Sequence, residues 1–124
     1  METLALVAHD GKKAEMVAFI KDNWDFINSY NLVATGTTGK VLKDAKLEVE
    51  CKKSGPYGGD AQIAAMVAEG KVKAVIFFRD PLDKHPHEPD VQMLMRMCDV
   101  HNIPLATNPK AAYYLLIGLT QEKK

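Results

Sequence analysis

Long apolar runs, paired cysteines and an excess of charge of either sign are all missing from this chain of 124 residues. No apolar stretch approaches the ~20 residues that a membrane-spanning helix needs. The opening METLALVAHD turns polar too soon for a signal peptide. Lys plus Arg and Asp plus Glu total 16 each, so the formal net charge is zero. Nothing in that balance draws the chain to nucleic acid or to an anionic membrane surface. Cys51 and Cys98 are the two cysteines and lie far apart, which argues against a disulfide framework and predicts two buried thiols in a reducing compartment. A cytoplasmic protein is expected. Aromatic residues make up 7% of the chain, and none is placed to stack on an adenine or to flank a flavin loop as a pair. Nucleotide binding and flavodoxin-like electron transfer are disfavoured accordingly.

The residues that are present describe a packed fold. A hydrophobic fraction of 47% in a chain of this length supports one core, and residues 1–124 are read as a single domain. Leu4 to Ala8, Leu32 to Thr35, Leu47 to Cys51, Ala74 to Phe78 and Ile103 to Thr107 read as strands. Leu47 to Cys51 alternates polar with apolar, as an edge strand does, whereas Ala74 to Phe78 is apolar throughout, as a central parallel strand is. Between them lie helical patterns. Met16, Ile20, Trp24 and Ile27 recur at helical spacing from Lys12 onward; a short helix is predicted over Gly36 to Asp44. Ile63, Met66 and Val67 mark another, ended by Gly70, and Leu94, Met97 and Cys98 face inward from one that Pro89 opens. Lys110 to Gly118 closes the chain. Met93, Met95 and Met97 read as helix surface and core filler. Alternation of this kind predicts a three-layer αβα sandwich on a mostly parallel, doubly wound five-stranded sheet.

Ligands of such folds bind beyond the carboxyl ends of the strands. The loops at that edge are HDGKK, TGTTGK, KSGPYGGD, RDPLDKHPHEPD and TNPK. TGTTGK sets glycines and hydroxyls at the start of a helix, where backbone N–H groups favour an anion. It is neither a Walker A loop, since Val41 follows Lys40, nor a dinucleotide fingerprint. SGPYGGD adds Ser54 and three glycines that permit close approach of backbone to ligand. With Lys13, the two loops describe a cradle for a phosphate-sized group.

Asp60 admits two readings: cap of the following helix, or a carboxylate aimed at the ligand. Asp10, Asp80 and Asp90 belong to neighbouring loops, so several acids could share one site with coupled titration. His9 and His87 sit at the same predicted edge. His85, His87 and Asp90 could together ligate a metal, but no cysteine or second acid pair shares their spacing.

Taken together, LVAHDGKK, ATGTTG, SGPYGGD, FFRDPLDKHPHEPDV and NIPLATN resemble the methylglyoxal synthase family, in order and over almost the whole chain. The resemblance implies a lyase that converts dihydroxyacetone phosphate to methylglyoxal and inorganic phosphate without metal or organic cofactor. It also implies a homohexamer with an allosteric site sensitive to phosphate as inhibitor. By position, Asp60 matches the catalytic base and His87 the histidine that polarises the substrate carbonyl. His9, Lys13, Thr35, Gly36, Thr37, Thr38, Ser54 and Gly55 match substrate and phosphate contacts. Asp10, Asp80 and Asp90 match acids lining the same site. The tail beyond the last helix is shorter than in many members. Two other functions fit the same architecture: a non-catalytic regulatory domain that binds a small phosphorylated ligand, and isomerisation of triose phosphates. A regulatory module could dispense with the acids and histidines that stand here.

Overall fold

The structure is a computed structural model, described here for residues 2–83 and 88–122. Five strands run in the order β1 (Thr3–Ala8), β2 (Asn31–Ala34), β3 (Glu50–Cys51), β4 (Ala74–Phe78) and β5 (Leu105–Ala106). They form one sheet in the spatial order β3-β2-β1-β4-β5, with every pairing parallel. Leu6 lies opposite Ala34 on one side and Ile76 on the other, which fixes the register of the central three strands. The crossover direction reverses between β1 and β4. This is the predicted architecture: a parallel sheet doubly wound, with helices on both faces.

Alternation along β1 explains the two layers. Leu4, Leu6 and Ala8 join a core built with α1 (Lys13–Asp22), α2 (Trp24–Ile27), α3 (Gly36–Asp44) and α6 (Pro109–Glu122). Ala5 and Val7 point to the opposite core, built with α4 (Gly59–Ala68) and α5 (Glu88–Val100). All five β4 residues are buried, as a central strand covered on both faces requires.

Three expectations change. The helix from Lys13 stops at Asp22, because Asn23 leaves helical geometry at φ −115° and ψ 24°, with its side-chain amide joining its own N–H on Phe19 O at 2.9 and 3.0 Å. The chain restarts as α2 at Trp24, which is 39% exposed rather than facing inward. Of the predicted strand Leu47 to Cys51, only Glu50 and Cys51 pair with β2. Cys51 is exposed, not buried, because β3 is an edge strand with no neighbour on its outer side; Cys98 is buried as expected. Burial pushes the Cys98 thiol up to about 11, with Asp99 adding to the effect.

Candidate active site

At the carboxyl edge of the sheet, a cavity of about 230 Å³ is lined by the exits of β1, β2 and β3. His9, Asp10 and Lys13 come from the first exit, Thr35 and Thr37 from the second, and Gly55, Pro56 and Asp60 from the third.

Asp60 is fully buried. It does not occupy the capping position of α4. That place belongs to Gly58, whose φ of 100° only glycine adopts readily, and Asp60 follows as the second residue of the helix. The carboxylate therefore sits in the first helical turn, where the dipole favours negative charge, at the wall of the cavity. The capping reading of Asp60 is thereby set aside.

His9 is also buried, and its ring packs edge-on against Phe77 with centroids 5.1 Å apart. The backbone N–H of Asp80 donates to His9 Nδ1 at 2.9 Å. An imidazole that accepts at Nδ1 carries its proton at Nε2 and is neutral in that state. Asp80 thus contributes through its backbone. Its side-chain Oδ1 accepts the Leu82 N–H at 3.0 Å and shapes its own turn, while Oδ2 lies 3.0 Å from where a Cβ on Gly11 would stand.

The anion-binding part is equally specific. Lys13 Nζ donates to Ala8 O at 3.2 Å and to Asp10 Oδ1 at 2.5 Å, its side chain 13% exposed against 96% for Asp10. Thr35 precedes α3, and that helix start carries no side-chain cap; the Gly36 N–H donates to Lys53 O at 3.0 Å, so the N–H groups an anion would meet begin with Thr37, which lines the cavity. Thr38 plays another part. Its Oγ1 accepts the Ala8 N–H at 3.1 Å and the Thr35 hydroxyl at 3.3 Å, and it donates back to Ala8 O at 3.3 Å. This buried hydroxyl staples the end of β1 to the start of α3.

The segment Lys52–Ser54 runs between two glycines. A Cβ on Gly36 would lie 2.9 Å from Ser54 N, and one on Gly59 would lie 1.9 Å from Lys53 O. Both loops can reach the third strand's exit only because those positions lack side chains. Gly59 is one of the three glycines that the sequence offers for close approach, and here the close approach is to the Lys53 backbone.

Of the residues predicted for the site, His9, Asp10, Lys13, Thr35, Thr37, Gly55 and Asp60 line the cavity, and Gly36, Thr38 and Ser54 frame it. Asp80 and Asp90 are not among its lining residues; Asp90 stands in the first turn of α5, next to Glu88, whose carboxylate pairs with Arg79 at 3.2 Å. His87 lies outside the described residues, as does His85 of the metal reading. Among the described residues no group of three or more His, Cys, Asp or Glu is placed to hold a metal ion, and no helix is long and apolar enough to cross a membrane.

Comparison with known proteins places this arrangement. Residues 15–107 match the model of the MGS-like domain. The chain is 59% identical over 117 residues to a methylglyoxal synthase of Thermus thermophilus, covering 94% of this chain and 93% of that one. It is 57% identical over 116 residues to one of Borrelia garinii subsp. bavariensis, covering 93% and 92%. The crystal structure of a methylglyoxal synthase from Elizabethkingia anophelis superposes with a TM-score of 0.87 at 42% identity, over 93% of this chain and 76% of that one.

Proposed function

The chain belongs to the MGS-like domain family, with methylglyoxal synthases as its relatives, and from that premise we propose how its own residues convert dihydroxyacetone phosphate to methylglyoxal and inorganic phosphate. The observation that carries the reading is the fully buried Asp60 carboxylate, at one small cavity with Lys13 and the α3 start.

The phosphate group of the substrate rests against Lys13, the N–H groups that follow Gly36 in the first turn of α3, the Thr37 hydroxyl, the Thr35 hydroxyl once it turns from Thr38, Ser54 and Gly55. Charge-assisted contacts of this kind contribute roughly 1.5–3 kcal/mol each. The hydroxymethyl carbon then faces Asp60, which removes a proton as general base. The electron pair left behind moves into the adjacent carbonyl and forms an enediolate. His9, held with its proton at Nε2 by the Asp80 N–H, donates toward the developing oxyanion without needing to be charged. In this reading His87, from the HPHEPD motif, serves as the second donor and Asp10 adds an acid at the cavity, while Asp80 acts through its N–H on His9 and Asp90 stands outside the cavity lining.

Elimination follows when the enediolate electrons expel phosphate by breaking its C–O bond. The enol released takes a proton at carbon to become methylglyoxal. Every atom of the substrate is accounted for in the two products, and no redox partner or cofactor is called for. Whether the enediolate eliminates or is reprotonated depends on that C–O bond standing out of the enediolate plane. The loops that hold the phosphate therefore set the reaction outcome as well as affinity.

As part of the same proposal, inorganic phosphate inhibits as well as leaves, the active form is a homohexamer, the residues 1–124 act as one domain, and the protein works in the cytoplasm. Incubation with dihydroxyacetone phosphate is expected to release methylglyoxal and phosphate one for one. Binding without turnover would replace this reading by that of a regulatory domain.

A further inference from the structure

Parallel pairing with β2 uses the N–H of Lys52, which donates to Ala34 O at 2.7 Å, and the carbonyl of Lys53, which accepts the Gly36 N–H at 3.0 Å. A regular parallel ladder would present the Lys52 carbonyl to Gly36; the use of the Lys53 carbonyl shows that the chain has left strand geometry at this residue. The N–H of Lys53 meets the Gln62 side chain: Lys53 N donates to Gln62 Oε1 at 2.8 Å. Gln62 stands two residues beyond Asp60, in the same first turn of α4.

One residue, Lys53, therefore ties together both halves of the site through the two peptide groups that flank it. Its carbonyl side holds the start of α3, where the phosphate is bound, and lies where a Cβ on Gly59 would approach to 1.9 Å. Its amide side is held by the helix that carries Asp60. A second bond, from Gly59 N to Ser54 O at 3.0 Å, joins the same two segments through backbone, whereas Gln62 does so through a side chain that selection can change.

We propose that Gln62 is a positioning residue that sets the distance from the Asp60 carboxylate to the phosphate-holding loops, and with it the fraction of enediolate that eliminates phosphate. The proposal rests on the lyase reading above. Its chemistry is geometric: a displacement of about 1 Å at a reacting centre can cost about a hundredfold in rate. A loosened α4 allows the C–O bond to swing toward the enediolate plane, where reprotonation competes.

The test compares Gln62→Met, which keeps length but has no carboxamide acceptor, with Gln62→Glu, which keeps an acceptor oxygen. Turnover of dihydroxyacetone phosphate in deuterated water reads methylglyoxal, glyceraldehyde 3-phosphate and deuterium in recovered substrate. Gln62→Met is expected to lose about tenfold in methylglyoxal formation and to return several times more enediolate per methylglyoxal formed. Gln62→Glu is expected to bring that ratio back toward wild type, with thermal midpoints of all three alike. A structural role alone would lower every product in proportion, so an unchanged ratio in Gln62→Met would overturn the proposal, as would a ratio that Gln62→Glu fails to restore. A wild type that makes no methylglyoxal would overturn the lyase reading itself, and this inference with it.

Discussion

The two edges of the sheet are built on opposite principles. At the carboxyl edge stand His9, Thr35, Thr38 and Asp60, which are the buried polar residues among those described. At the amino edge, Lys73 pairs with Glu122 at 3.2 Å and with Glu2 at 3.8 Å, all three partly or well exposed. The amino edge also has the roomier cavity, about 680 Å³ and lined in part by Gly70, Lys73 and Asn102. Volume is therefore a poor guide to the site. Taking polar groups out of water costs free energy unless partners compensate, so a fold retains them where they serve a purpose, whereas solvated ion pairs cost little and contribute little.

Substitutions can sharpen that contrast. At the carboxyl edge, Gly59→Ala forces a methyl group onto the Lys53 carbonyl, and backbone on both sides leaves no easy relief. A loss of about 1–3 kcal/mol in urea-unfolding stability is expected, together with a fall in turnover. Gly118→Ala is the control: that exposed helical glycine meets nothing within 4 Å, and the same change there should stabilise by about 0.4–1 kcal/mol. Equal effects at the two positions would remove the argument for close approach.

The smallest effect belongs to the amino edge. The hydrogen bond and charge of Glu122, followed by the charge of Glu2, raise the Lys73 pKa above the ordinary lysine value. Because the folded-state pKa is the higher one, the contribution of Lys73 is fully present below the unfolded value and fades as pH rises through the folded one. Lys73→Met should cost within about 1 kcal/mol near neutral pH, and the difference from wild type should close in strongly alkaline solution. A gap that widens there would mean the sign is wrong.

Much of this contrast is legible without coordinates. The apolar run Ala74 to Phe78 and the helix Gly36 to Asp44 appear with the bounds read from their residues, because period and capping chemistry are local signals. Trp24 faces outward because the backbone of Asn23, capped by its own side chain, breaks a helix that periodicity would continue. Cys51 was misplaced because sheet order, which decides what lies on its outer side, is set by tertiary pairing. In the site, residue types and spacing pointed to the cavity, yet roles did not follow from them. Thr38 is engaged with Ala8 backbone, and Asp80 orients His9 through its N–H; neither contact has a sequence signature. Gln62 was silent for the same reason, since its partner is a backbone amide from another strand.

The central claim is that the buried acid of the carboxyl edge removes the substrate proton. Phosphate release from dihydroxyacetone phosphate by Asp60→Asn tests it most directly, with thermal protection by inorganic phosphate measured on the same sample. The account predicts that kcat falls by about a thousandfold, within the range of general-base catalysis, while phosphate still protects the fold. Turnover within about tenfold of wild type would contradict it.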